Sequence, residues 1–399
     1  MLPAFEFAAA QRIVFGVGGF DQLGGLAAEH GRRVFLVTTP SATTPGGPVD
    51  RLAEQLRKAD LSLTVHPVNG EPDTASVDGA TEAARRAGAD VVVGLGGGSA
   101  LDTAKAVAGL LTNGGAALDY MEVVGRGQSI RQPAAPFIAV PTTAGPGTEV
   151  TRNAVVLSRA HGVKASLRSP LLLPRVALVD PTLTLSLPPE PTASTGLDAL
   201  TQLIEPYVSR RANPLTDALV MGALARGARA LSVAWANGGD LEARTSMAFA
   251  SLCGGLALAN AGLGAVHGFA APLGGQLPIP HGVACALLLA PVMRANVAAL
   301  RALPPDAPAG PGTASETLQR YANIGTALTG VTGQDAVEAG IAWAAERVAA
   351  FKLPGLAHYS LTQDQVPELA RLAGQASSMK GNPILLPQAT LEEILRAAL

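Results

Sequence analysis

Two rhythms of apolar residues divide the chain. In the first half, short β-branched runs alternate with helical patterns, so that residues 34–39, 62–68, 90–94, 137–140 and 176–179 read as strands. Between them, residues 49–59, 76–87 and about 99–111 carry the spacing of amphipathic helices. Strands separated by helices predict a parallel sheet covered on both faces. Residues 153–158 and 164–167, with His161-Gly162 between them, read as a hairpin attached to that sheet. After Asp180-Pro181 the rhythm changes to long Ala/Leu-rich segments with helical periodicity: 193–209, 214–230, 241–260 and 283–299, then 315–328, 334–350, 362–372 and 390–399. The expectation is an α/β domain over residues 1–185, Rossmann-like with a parallel sheet, followed by an all-α domain over 186–399. The Pro/Gly-rich stretch 303–313 reads as a surface loop, because helical pattern continues on both sides of it.

Composition narrows the function more than the fold. Of 399 residues, 48% are apolar and 15% charged, enough for a large core. A net charge of −2 and an aromatic content of 4% argue against a nucleic-acid partner. The N-terminus has no basic start and no long apolar run, so no signal peptide is expected. No stretch reaches about 18 unbroken apolar residues, so neither a transmembrane helix nor a membrane partner is expected. Cys253 and Cys285 are too few for a disulfide framework and fit a reducing compartment. Together these features predict a cytoplasmic protein.

Two loops carry candidate anion chemistry. Gly96-Gly97-Gly98-Ser99 follows an apolar strand and opens a helix whose first turns hold Asp102 and Lys105. Small residues let a phosphate approach backbone N–H groups at the positive end of a helix. The plainer alternative is a tight turn with Ser99 as an N-cap. This is neither the Gly-x-Gly-x-x-Gly fingerprint nor a Walker loop. The second loop, Pro141 to Thr151, is rich in hydroxyls and glycine at the carboxyl edge of a strand, where open α/β sheets bind ligands.

The helical half carries candidate metal ligands. Asp198 and Gln202, four apart, face one side of a helix flanked by Leu197, Leu200, Leu203 and Ile204. A carboxylate buried there needs a partner or a metal. His267 and His281 flank a Gly/Pro-rich segment, each followed by glycine, in a chain with six histidines. Cys285 reads as core, and His30, His66, His161 and His358 as structural or surface residues.

The glycine loop through Lys105, the Pro141–Thr151 loop, Asp180-Pro181, Gly196 to Thr201, and the block from His267 to Pro280-His281-Gly282 occur in an order and spacing that resembles the iron-containing (group III) alcohol dehydrogenases across nearly the full length. The resemblance implies the dehydroquinate synthase-like fold, with the active site in the cleft between the two domains. It implies NAD- or NADP-linked interconversion of a small-molecule alcohol and an aldehyde or ketone, and a homodimer or higher homo-oligomer. It places a divalent metal, Fe²⁺ or Zn²⁺, on Asp198, Gln202, His267 and His281, with Asp198, His267 and His281 catalytic. It places the cofactor on Thr39, Asp73, Gly97, Gly98, Ser99, Asp102, Thr142, Thr143 and Lys164.

Four positions depart from the family pattern. Gln202 stands where most members have a third histidine, and Ala271 where many have a second histidine near the nicotinamide. Asp73 replaces the Asn of an Asn-Pro pair. Thr39 stands where NAD-preferring members carry an Asp that bonds the ribose 2′-hydroxyl and repels a 2′-phosphate, so NADP use is open. Gln11 to Gly16 and Val37-Thr38-Thr39-Pro40 are also similar to maleylacetate reductase, which works without the metal; Asp198 and Asp102 favour the metal-dependent family. A dehydroquinate synthase-like lyase on the same fold and a cofactor-binding protein without turnover are the remaining alternatives.

Overall fold

The computed structural model describes residues 4–399. By internal contacts, residues Ala8–Thr143 and Gly147–Leu187 form one compact unit, and Ala144–Pro146 with Pro188–Leu399 belong to a second.

The first unit is built on six parallel strands in the order β1-β8-β5-β4-β2-β3. These are β1 (Arg12–Phe15), β2 (Arg33–Thr38), β3 (Ser62–Pro67), β4 (Val91–Gly96), β5 (Phe137–Pro141) and β8 (Val176–Val179), with β6 (Asn153–Ser158) and β7 (Val163–Arg168) forming a separate antiparallel hairpin. Helices α1 (Leu23–Ala28), α2 (Pro48–Lys58), α3 (Thr74–Arg86), α4 (Gly98–Asn113) and α5 (Ala117–Tyr120) complete the unit. The central strands β4 and β5 are buried throughout, as expected for strands covered on both faces. Strand β1, absent from the sequence reading, is four residues long and mostly exposed, so it lacks the buried β-branched run that marks the others. Gly94 is needed in β4, because a Cβ there would lie 2.9 Å from the Ala104 Cβ and 3.1 Å from Phe137.

The second unit is helical: α6 (Pro189–Val208), α7 (Pro214–Ala236), α8 (Leu241–Ala261), α9 (Ala265–Gln276), α10 (His281–Arg301), α11 (Ala314–Thr329), α12 (Ala336–Ala350), α13 (Val366–Gln375) and α14 (Gln388–Ala397). The expected helix near 362–372 begins as a 3-10 turn and becomes α-helical only at Val366. Stretch 303–313 is not wholly irregular, since Pro308–Ala309 pairs with Gly312–Thr313 as a small hairpin. Helix α9 was not expected, because Gly268, Pro272, Gly274 and Gly275 dilute its helical signal. It leaves α8 at 98° across a turn in which Gly262 adopts a left-handed φ of 72°.

Helix α10 is by length and composition alone long and apolar enough to cross a membrane, despite interruptions such as Arg294. Most of it is instead buried inside the unit, where it packs on α6, α9 and α12. Its apolar surface therefore serves the core.

Substituting Gly94→Ala overpacks the strand–helix contact and is expected to cost about 1–3 kcal/mol in denaturant-unfolding free energy. Unchanged stability would show that α4 does not bear on β4 as closely as described.

Candidate metal centre and nucleotide site

Three helices of the second unit bring five polar side chains together. On α6, Asp198, Gln202 and Glu205 fall at i, i+4 and i+7, one face of the helix, and all three are buried. His267 lies in the first turn of α9, and His281 is the first residue of α10, with Cys285 one turn further on. Asp198 Oδ1 is 3.3 Å from His267 Nε2 and 3.9 Å from His281 Nε2. The ligand atoms of Asp198, His267, His281 and Cys285 all lie within 4.8 Å of one another. The two imidazole rings are 5.5 Å apart, centroid to centroid.

Glu205 organises this cluster from behind. Its Oε2 lies 2.7 Å from His267 Nδ1, and its Oε1 accepts the Val266 N–H at 2.6 Å in the first turn of α9. In the neutral ring, a proton held on Nδ1 by the carboxylate leaves the Nε2 lone pair facing Asp198 and Cys285. Burial by itself would lower the His267 pKa, but Cys285, Asp198 and Glu205 outweigh it and raise it well above the usual value. Burial likewise opposes ionisation of Asp198, yet His281, His267 and the Gln202 amide hold its pKa below the usual value. The Cys285 thiol, fully buried, is pushed up to about 12.

These residues fit a divalent metal. Asp198 Oδ1 and Gln202 Oε1 are buried oxygens with no hydrogen-bond partner, a costly state in an apolar core. A metal ion satisfies both chemically, and carboxylate, amide oxygen, imidazole and thiol are all donor types that iron or zinc accepts.

The first unit gathers the predicted cofactor residues in two groups. Gly97 is the N-cap of α4 and offers no side chain to its N–H groups, so the first turn of this 16-residue helix is open to an anion. The Thr142 N–H donates to Gly96 O at 2.9 Å, tying the second loop to the first. A Cβ on Gly97 would sit 3.3 Å from Thr143, and one on Gly96 3.3 Å from Thr39. Thr39, Gly97, Gly98, Ser99, Thr142 and Thr143 thus meet at the carboxyl ends of three adjacent strands, β2, β4 and β5. Thr39 Oγ1 lies 3.0 Å from Ser41 Oγ.

The second group lies toward α3 and the hairpin. Asp73 caps α3, accepting the Ser76 N–H at 2.8 Å, and pairs with Arg159 at 2.6 Å. Lys164 is nearly buried and pairs with Glu71 at 3.0 Å. Asp102 links the groups: it accepts a bond from the Val155 backbone and feels the charges of Lys105, Glu71 and Lys164. Burial dominates, however, and pushes its carboxyl up to about 7, with Oδ1 left unpartnered. Lys105, fully buried, donates to Thr148 O, Thr151 Oγ1 and Asn153 O at 2.8–2.9 Å, and burial lowers its pKa to about 8. Burial also raises Glu149 to about 7.

Comparison with known proteins agrees with this geometry. Residues 10–181 match the model of the iron-containing alcohol dehydrogenases, and residues 192–399 match that of the C-terminal region of the same family. The chain belongs to the iron-containing alcohol dehydrogenase family. It is 42% identical to long-chain-alcohol dehydrogenase 1 of Geobacillus thermodenitrificans over 71% of this chain and 72% of that one. It is 31% identical to the NAD-dependent methanol dehydrogenase of Bacillus methanolicus over 97% of both. The crystal structure of a 1,3-propanediol oxidoreductase superposes with a TM-score of 0.88 at 32% identity, covering all of both chains. This alcohol dehydrogenase is therefore a metal-dependent, NAD(P)-linked oxidoreductase that interconverts an alcohol and an aldehyde or ketone. That reading prevails over the metal-independent reductase and the lyase.

Glu205 escaped the sequence reading, although its i+7 spacing from Asp198 placed it on the same face. The sequence shows Lys105 only as a residue after the glycine loop, and Glu149 only as part of the second loop.

Two outcomes follow from this geometry. Glu205→Gln in the dehydrogenase weakens the orientation of His267, and metal affinity, measured by chelator competition, is expected to fall about 10- to 100-fold. Asp102 holds its proton in the folded chain up to about pH 7, whereas an unfolded aspartate loses it near pH 4. The folded state thus binds more protons across that window, so stability falls as pH rises through it. Cofactor-free Asp102→Asn is expected to lose less unfolding free energy between about pH 5 and pH 8 than the natural protein. An identical loss would remove Asp102 as a source.

Proposed function

We propose that Asp198, Gln202, His267 and His281 hold the dehydrogenase's divalent metal, Fe²⁺ or Zn²⁺, and that Asp198, His267 and His281 are its catalytic constellation. The observation that carries this reading is the convergence of Asp198 Oδ1 with the two imidazole Nε2 atoms, while Asp198 Oδ1 and Gln202 Oε1 lack any other partner. When bound, the metal supplies Lewis acidity toward an alcohol or carbonyl oxygen, and the nicotinamide supplies the hydride carrier.

The chain's own residues do the rest. Glu205 holds the proton on Nδ1 of His267 and so keeps Nε2 aimed into the cluster. The apolar packing of α6, α9 and α10 shields Asp198, Gln202 and His267 from bulk water, while His281 stays partly exposed. The open N–H groups of the first turn of α4, with Gly97, Gly98 and Ser99, receive the cofactor pyrophosphate, and Thr142 and Thr143 flank it. Asp73, Asp102 and Lys164 complete the cofactor site from the hairpin side. Ala271 carries no titratable group, so position 271 supplies no proton relay in this chain.

Thr39 presents no carboxylate at the end of β2, which favours acceptance of NADP as well as NAD. Two buried free thiols fit a cytoplasmic setting. Strand β1, an edge strand continuing into exposed Val17 and carrying exposed Ile13, supports assembly into a homodimer or larger homo-oligomer, which light scattering would read directly.

Stripping the protein with a chelator is expected to abolish alcohol-dependent reduction of the nicotinamide, and Fe²⁺ or Zn²⁺ to restore it. Full activity in rigorously metal-free protein would sink the assignment. Thr39→Asp is expected to raise the KM for NADP at least about tenfold with little change for NAD, the mark of charge repulsion at a 2′-phosphate. Equal effects on both cofactors would move the adenosine end away from Thr39.

A further inference from the structure

We infer that Cys285 is a metal ligand in this enzyme, a thiolate that supplies with Asp198, His267 and His281 the strong donors of the site, while Gln202, which stands where most family members carry a third histidine, adds only a weak neutral one. The inference rests on the metal reading of the site and adds a residue to it.

The sulfur is placed as a ligand would be. Cys285 Sγ lies 3.7 Å from His267 Nε2 and 3.7 Å from His281 Nε2. For a tetrahedral ion with metal–sulfur bonds of about 2.3 Å and metal–nitrogen bonds of about 2.05 Å, the sulfur-to-nitrogen edge is about 3.6 Å. The oxygen-to-nitrogen edge is about 3.4 Å, against 3.3 and 3.9 Å here. Four of the six donor-to-donor distances thus stand near the edges of one coordination shell, and all six lie within 4.8 Å. The element that supplies His281 supplies Cys285 one turn later on the same face, so the pair is presented by a rigid helix.

Hydrogen bonding leaves the arrangement short of partners. A thiol has one proton, and two imidazole nitrogens share the same sulfur as neighbour. Asp198 Oδ1 sits in the same group without any hydrogen-bond partner and is almost wholly buried. Donor atoms of oxygen, nitrogen and sulfur thus converge on one small region, an arrangement a divalent cation satisfies once it displaces the protons held there.

Charge points the same way. Asp198 and a Cys285 thiolate together cancel a divalent ion, so the ion and its charged ligands sum to zero and the burial of charge in the helical core is less costly. On binding, the S–H bond breaks heterolytically, the proton passes to solvent, and the sulfur lone pair binds the metal with no change in oxidation state. A ligand set of one carboxylate, two imidazoles and one thiolate is softer than one of carboxylate and three imidazoles, and favours Zn²⁺ over harder ions.

The test is cobalt substitution of the purified full-length enzyme. With one equivalent of Co²⁺, the natural protein and Cys253→Ser are expected to show a near-ultraviolet thiolate-to-cobalt charge-transfer band, and Cys285→Ser to lack it. Cys285→Ser is also expected to bind Co²⁺ at least about tenfold more weakly in chelator competition. Should that variant fold poorly, zinc K-edge absorption on the natural protein decides, with one sulfur scatterer expected at about 2.3 Å. A full equivalent of metal bound with no such band and no sulfur scatterer overturns the thiolate and leaves the metal site standing. A protein that takes up neither metal overturns both.

Discussion

A carboxylate in the middle of an apolar helical core carries an electrostatic penalty of several kcal/mol unless something answers it, and the helical unit is organised around answering it at Asp198. The long helix α6 is buried on almost every side, yet it carries Asp198, Gln202 and Glu205 along one face. The imidazoles that meet this face come from the first turns of α9 and α10, where helix dipoles also favour negative charge. Glu205 binds both the backbone and the side chain at the start of α9, so the carboxylate behind the site also sets the position of the helix that supplies His267.

The α/β unit meets a similar difficulty differently. Asp102, Lys105 and Glu149 are all buried, and Lys105 spends its three donors on oxygens of the loop and strand that follow β5. The loop rich in hydroxyls is thereby fastened to α4, the same helix whose open first turn faces the carboxyl edge of the sheet. Rigid placement of that loop and openness of the helix end come from one element. Preorganisation of this kind lowers the ordering cost of receiving a charged cofactor.

Much of this was legible in the residues. The runs at 137–140 and 176–179 announced buried strands because both faces of a parallel sheet demand continuous apolar residues. Asp198 and Gln202 announced a polar spot on a buried helix because their spacing matched the helical repeat. Other features were not legible, for physical reasons. Strand β1 is short and exposed, so its sequence is not constrained by a core. Helix α9 is assembled from residues with poor helical propensity and is held by packing rather than by local preference. Cys285 read as a core residue, and by burial it is one; that its sulfur touches two imidazoles depends on how α9 and α10 cross, which no local pattern encodes.

Backbone closeness around the candidate metal site limits what its neighbours can become. A side chain on Gly282 would meet the Ser194 carbonyl at 2.6 Å, one on Gly254 would meet Gln202 at 3.2 Å, and one on Gly264 would meet Glu205 at 2.9 Å. Each of these glycines lets a helix or turn rest directly against the element that bears a metal-site residue. Such a scaffold has almost no room for drift next to its chemistry. On such a backbone, change beside the candidate donors is confined to exchange of one donor for another, as glutamine at position 202, where most family members carry histidine, illustrates.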